Sequence, residues 1–124
     1  MTVFQHPENL ELVAYFNIPK VQTWGDGKKD MPYKELVRQS ANLPSNARND
    51  FAWFVFSIRC VVSENRRRKK GPDVENIPKL IVDAFTGILF FDDNLDYVRG
   101  IQVEAVFGPD EQENAEVWIY GHHR

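Results

Sequence analysis

Phe51-Ala52-Trp53-Phe54-Val55-Phe56-Ser57-Ile58-Arg59-Cys60-Val61-Val62 is the stretch that decides the fold. Ala52, Phe54, Phe56, Ile58, Cys60 and Val62 alternate, and this period of two marks a β-strand. Phe51, Trp53 and Val55 make the second face apolar for half its length. A strand apolar on both faces belongs at the centre of a sheet. The rest of the chain is read as what surrounds that strand.

Upstream, Leu10, Leu12, Ala14, Phe16 and Ile18 alternate and predict a first strand with those residues on one face. Residues 19–31 read as a loop, with Pro19 and the turn signal Gly25-Asp26-Gly27. A helix is expected from about Asp30, with Asp30 capping it and Pro32 in its first turn. Its apolar stripe is Tyr33, Leu36, Val37, Ser40 and Ala41, and Pro44 and the polar run Ser45–Asp50 follow.

Downstream, a second helix is expected to about Phe85, with Asn76 as N-cap and Pro78 in its first turn. Ile77, Leu80, Ile81 and Ala84 form its stripe, and Thr86-Gly87 ends it. Ile88–Phe91 reads as a short strand and Asp92-Asp93-Asn94 as a turn. Val98–Phe107 and Ala115–Tyr120 read as two strands joined as an antiparallel hairpin with a long loop. Ile101, Val103, Ala105 and Phe107 share one face of the first, and Ala115, Val117 and Ile119 one face of the second. The order is β-α-β-α-β-β: an α+β domain, with two helices packed on a mixed sheet.

The 124 residues suit one domain, 1–124. With 43% hydrophobic and 27% charged residues, the composition is globular and excludes wholesale disorder. No apolar run is long enough for a membrane span, and no secretory leader pattern opens the chain. Cys60 is the single cysteine, which excludes an intrachain disulfide and a Cys-rich zinc site. A cytoplasmic setting is expected. Residues 1–70 hold 12 Lys/Arg against 7 Asp/Glu, and residues 71–124 hold 3 against 11. A basic half joined to an acidic half suits a polyanion-binding surface beside a cation-binding one, and also a chance surface distribution.

Chemistry concentrates in residues 66–93. The run Arg66-Arg67-Arg68-Lys69-Lys70 precedes Asp73 and Glu75, then Lys79 and Asp83, then Asp92 and Asp93. Glu75, Lys79 and Asp83 have helical i, i+4, i+8 spacing. Two readings stand. In one, Asp73 caps a helix, the i, i+4 residues form surface ion pairs, and Asp92-Asp93-Asn94 is only a turn. In the other, the chain folds back so that Asp93 joins Asp73. Crowded carboxylates then need a cation, and hard oxygen ligands without clustered Cys or His favour Mg²⁺ or Mn²⁺. Carboxylate-held Mg²⁺ suits phosphodiester hydrolysis, with a lysine such as Lys79 offsetting phosphate charge and the basic run holding the backbone.

The stretch Gly71-Pro72-Asp73-Val74-Glu75-Asn76-Ile77-Pro78-Lys79-Leu80-Ile81-Val82-Asp83-Ala84-Phe85-Thr86-Gly87, followed by Phe90-Phe91-Asp92-Asp93, resembles the signature of the RusA family of Holliday-junction resolvases. The resemblance covers residues 71–93 and matches six polar positions. It implies a homodimeric, Mg²⁺-dependent endodeoxyribonuclease that resolves branched DNA in recombination and repair. Residue by residue it implies Asp73, Glu75 and Asp93 as metal ligands and Lys79 as the active-site lysine. Asn76, Asp83 and Asp92 would support them, and Arg66 to Lys70 would bind DNA. Glu75 stands where the family usually has Asp, one methylene shorter, and Gly71-Pro72 where an Arg often precedes the first Asp. The alternative is a non-catalytic DNA-binding homologue whose metal site Glu75 has altered.

Trp24, with Lys20, Lys28 and Lys29 near it, reads either as a DNA contact or as packing over the sheet edge. Trp53, Phe54 and Phe56 read as core. His6, His122 and His123 read as exposed tails, and Asp110, Glu111 and Glu113 as a solvated loop.

Overall fold

The computed structural model describes residues 10–22, 27–67, 74 and 76–124. Strand β1 is Leu10–Ile18, helix α1 Gly27–Ala41, the one-turn helix α2 Ala47–Asp50 and strand β2 Phe51–Ser63. A 3₁₀ turn, Glu64–Arg66, ends β2. Helix α3 is Ile77–Asp83, strand β3 Val98–Gly108 and strand β4 Asn114–His123, with a second 3₁₀ turn at Asp110–Gln112. The four strands form one mixed sheet in the order β1-β4-β2-β3.

Strand β2 is central, as its two apolar faces predict. Phe54, Phe56, Ile58, Cys60 and Val62 are buried with Tyr33 and Val37 of α1 and Ile77, Leu80 and Ile81 of α3. Phe85 and Phe90 close this layer, with Phe56 about 6 Å from each ring (6.1 and 6.4 Å between centroids). On the opposite face, Val55 and Ser57 are buried as well. Their cross-strand partners are Tyr120 and Trp118. Trp53 also lies away from the core, stacked on His122 at 4.7 Å, and the Arg99 guanidinium lies over its ring at 5.0 Å.

The predicted β3–β4 hairpin does not form. β3 runs parallel to β2, and β4 inserts antiparallel between β1 and β2. The chain therefore steps over the end of β2 between β3 and β4. Residues 109–113 are enough for this: two strand spacings are about 10 Å, and five residues span up to roughly 17 Å.

Two β-bulges move side chains that strict alternation places elsewhere. A register shift between Leu12 and Ala14 turns Val13 inward and leaves Leu12 exposed. A second shift, between Phe51 and Trp53, keeps Phe51 with the core. Both bulges fold over Gly121, where a β-carbon would come within 2.4 Å of the Phe51 ring and 3.0 Å of Val13. Glycine is what lets the two bulged strands close on β4.

Helix α1 starts at Gly27, ahead of the expected Asp30. Asp30 thus sits inside the first turn, where its charge suits the helix dipole, and Pro32 lies one turn deeper than expected. Helix α3 starts after Asn76 as expected, with Pro78 in its first turn, but Asn76 makes no side-chain cap bond. The expected strand at Ile88–Phe91 reduces to a single bridge between Thr86 and Phe90. His122 and His123 are not tail residues: β4 carries both, and His123 Nε2 lies 2.8 Å from Glu11.

Candidate active site

Three cations on α1 and α2 hold the segment that leads to the acidic pair. Lys34 forms an ion pair with Asp83 at the end of α3. Arg38 Nε donates to the Ala84 carbonyl at 2.7 Å, and Arg48 Nη1 donates to the Gly87 carbonyl at 3.2 Å. Positive charge at a helix C-terminus is favourable, because the last carbonyls lack partners within the helix. Gly87 adopts φ +85°, a conformation that favours glycine, and its N–H donates to the Phe90 carbonyl at 2.7 Å. Leu89 and Phe90 are buried, which ties the turn to the core and presents Asp92 and Asp93 just beyond it.

The three acids of this end interact. The Asp92 carboxylate accepts the Asp93 N–H at 2.8 Å. Partial burial, the hydrogen bond and charge of Asp92, and the charge of Asp83 together push the Asp93 carboxyl above the ordinary carboxylate range. Asp83 also lies 3.4 Å from the Thr86 hydroxyl, which donates to it. An acid held in a negative field favours a proton or a cation. Hard carboxylate oxygens without Cys or His fit Mg²⁺ or Mn²⁺. Among the described residues, no three His, Cys, Asp or Glu side chains are placed to hold a metal ion by themselves. Asp73 and Glu75, the other two expected ligands, lie outside the described residues.

Lys79 is exposed on α3, and Asn76 sits at that helix's N-cap. The i, i+4 relation of Lys79 and Asp83 is realised, but Asp83 is engaged by Lys34 of α1. Of the basic run, Arg68, Lys69 and Lys70 lie outside the described residues, as do the side chains of Lys28 and Lys29, and Trp24 and His6. Arg67 pairs with Glu64 at 2.9 Å and lies over the Phe107 ring at 4.3 Å.

Arg66 has a structural partner that the spacing of the basic run does not reveal. Its Nη1 donates to the Val21 carbonyl at 2.7 Å and to Glu113 at 3.2 Å. Glu113 also accepts the Val21 N–H at 3.2 Å and the Ser63 N–H at 3.0 Å. Glu113 is therefore no solvated loop residue. It clasps the end of β1, the end of β2 and the root of the basic run. Asp110 and Glu111 are exposed as expected. Nothing in the sequence pattern marks Lys34, Arg38 or Arg48 as functional beyond the i, i+4 placing of Lys34 and Arg38 beside the Tyr33–Val37 core stripe.

Residues 2–120 of the chain match the family model described as Endodeoxyribonuclease RusA. A search of curated proteins returned no match. No helix among the described residues is long and apolar enough to cross a membrane.

Proposed function

This chain belongs to the RusA endodeoxyribonuclease family, and from that premise we propose that it is a Mg²⁺-dependent endonuclease that cuts four-way DNA junctions. The observation that carries the reading is the family match over nearly the whole chain. The crowding of Asp93 by Asp92 and Asp83 beside α3 supports it. In this reading the protein works in the cytoplasm in DNA recombination and repair. It acts as a homodimer, since two symmetric incisions suit a two-fold enzyme.

Asp73, Glu75 and Asp93 would hold the ion, Mn²⁺ serving in place of Mg²⁺. When bound, the ion supplies Lewis-acid polarisation of the scissile phosphate and a lowered pKa for its water. Asp92 holds the backbone of Asp93 and keeps its carboxyl in a field that favours a cation. Asp83, fixed by Lys34, maintains that field from the end of α3. Lys79 offsets charge on the phosphate, and Asn76 starts the helix that carries it. Arg66 is committed to its clasp, so the backbone contact falls on Arg67, Arg68, Lys69 and Lys70, with Lys28 and Lys29 as a second contact.

The test replaces Asp73 and Asp93 singly by Asn. Each variant is expected to lose junction cutting while keeping salt-sensitive junction binding. Cutting at the wild-type rate by either variant would sink the assignment. Glu75 in place of Asp favours one second reading, a DNA-binding homologue that does not cut. Its mark is junction binding without cleavage by the unmodified chain in either Mg²⁺ or Mn²⁺.

A further inference from the structure

The turn that carries the acidic pair also carries apolar side chains that the core does not take up. Phe91 and Leu95 are each 75% exposed, more than any other large apolar residue among those described, and Ile88 is 40% exposed. The order is Phe91-Asp92-Asp93-Asn94-Leu95, so the two carboxylates stand between two apolar side chains. Phe90 fills the core position next to Phe91, its ring 6.0 Å from that of Phe54.

This turn is held at both ends. The Gly87 N–H donates to the Phe90 carbonyl at 2.7 Å, and the Phe54 N–H donates to the Tyr97 carbonyl at 2.7 Å. Between them the Asn94 carbonyl accepts the N–H groups of Tyr97 and Val98 at 3.0 and 2.9 Å. The Asn94 side-chain oxygen accepts the Asp96 N–H at 2.9 Å. Phe91 and Leu95 are thus presented from a braced backbone. Single exposed apolar residues are ordinary on a protein surface. Two of them bracketing a pair of acids suit one ligand that brings an anionic part and an apolar part together, as a nucleotide does.

We propose that Phe91 and Leu95 contact an unstacked nucleobase beside the phosphate at Asp93, and so select branched over linear DNA. This rests on the junction-nuclease reading and adds the residues that recognise the branch. Consecutive α-carbons are about 3.8 Å apart, so Phe91 and Leu95 lie within roughly 8 Å of Asp93. Bases follow one another along a strand at about 3.4 Å. A strand whose phosphate meets an ion at Asp93 therefore brings a nucleotide within reach of these side chains. In a linear duplex that base is paired and stacked, and freeing it costs energy. The cost is least where pairing and stacking are already interrupted, as at a branch point. Apolar side chains set against base steps stabilise such opened geometry.

The experiment measures binding of the full chain, in EDTA so that no strand is cut, to a labelled four-way junction and to a linear duplex of the same sequence. The proteins are the wild type, Phe91→Ala, Phe91→Trp, Leu95→Ala and Val106→Ala, the last an exposed apolar residue on β3. The wild type is expected to prefer the junction. Phe91→Ala is expected to lose roughly 5- to 150-fold in junction affinity, the range that base–aromatic stacking spans, with duplex affinity unchanged. Leu95→Ala should lose less, and Phe91→Trp and Val106→Ala should match the wild type. Photocrosslinking of the wild type to 5-iodouracil at the branch point, located by mass spectrometry, covers the case of a variant that does not fold; the crosslink is expected at Phe91. Junction preference unchanged in Phe91→Ala, an equal loss in Val106→Ala, or crosslinks outside residues 91–95 overturns the base contact and leaves the nuclease reading standing. Phe91→Ala sedimenting at half the wild-type mass without DNA also overturns it, since a second copy then covers Phe91. A wild type with no preference for the junction overturns the nuclease reading and the base contact with it.

Discussion

Replacing Glu113 by Ala removes the acceptor of three hydrogen bonds at once: the Val21 N–H, the Ser63 N–H and the Arg66 guanidinium. Val21 and Ser63 are buried, so their N–H groups have little access to water when the carboxylate goes. An unsatisfied buried donor costs about 1–3 kcal/mol. The Glu113 side chain is 13% exposed and that of Arg66 33% exposed. Water can therefore reach part of the clasp, and the ion pair is worth less than a fully buried one. The lower end applies to each lost partner, giving a net loss of about 2–4 kcal/mol. With a slope of about 1.5 kcal/mol per molar urea, the unfolding midpoint should fall by roughly 1–3 M. The assay is urea denaturation followed by tryptophan fluorescence, with the exposed Glu111→Ala as control. That control should move stability by less than about 0.5 kcal/mol. Glu113→Gln keeps one acceptor and loses the charge facing Arg66, so it should fall between the two. If Glu113→Ala unfolds with the control, the clasp contributes nothing and the reasoning fails.

Gly121→Ala should cost about 1–3 kcal/mol, because the new methyl meets the Phe51 ring and Val13 rather than flexible side-chain ends; an unchanged melting temperature would refute this. The buried Cys60 thiol is pushed up to about 12, so iodoacetamide at pH 8 should leave it intact in the native protein and modify it in urea. Equal rates in both conditions would contradict its burial. Asp93 has its folded carboxyl raised above the unfolded value. Between those two values the folded state binds more protons, so its contribution makes the protein more stable as pH falls through that window and adds nothing further below it. A carboxyl-carbon NMR titration should place the Asp93 midpoint above the usual Asp range and lower it when Mg²⁺ is added; a midpoint at or below the usual range would contradict the crowded site.

What could be read from the residues depended on whether the deciding interaction was local. Leu10–Ile18 and Phe51–Val62 announce themselves because side-chain alternation is a property of consecutive residues, and both became strands at those positions. The centrality of β2 followed from apolar residues on both faces. Pairing partners are not local. Two strands separated by Gly108–Asn114 look like a hairpin, yet β3 had already been claimed by β2 through the α3 crossover. The five residues after it were free to step over β2. The bulges at Leu12 and Phe51 were equally hidden, since they depend on Gly121, far from both in sequence. At the candidate site, the motif singles out the acids and Lys79 as candidates, because metal chemistry would fix residue type and spacing together. It did not identify Lys34, Arg38, Arg48 or Glu113. Those residues act on backbone carbonyls, N–H groups and acids brought near only by the fold.

The most direct test of the central claim uses a labelled synthetic four-way junction, with a linear duplex of the same sequence as control. Each is incubated with the full chain in Mg²⁺ and in EDTA and resolved on denaturing gels. Paired, symmetric cuts in the junction alone, present in Mg²⁺ and absent in EDTA, are the predicted result. An intact junction in Mg²⁺ and Mn²⁺ under conditions where the protein binds it would contradict the catalytic account.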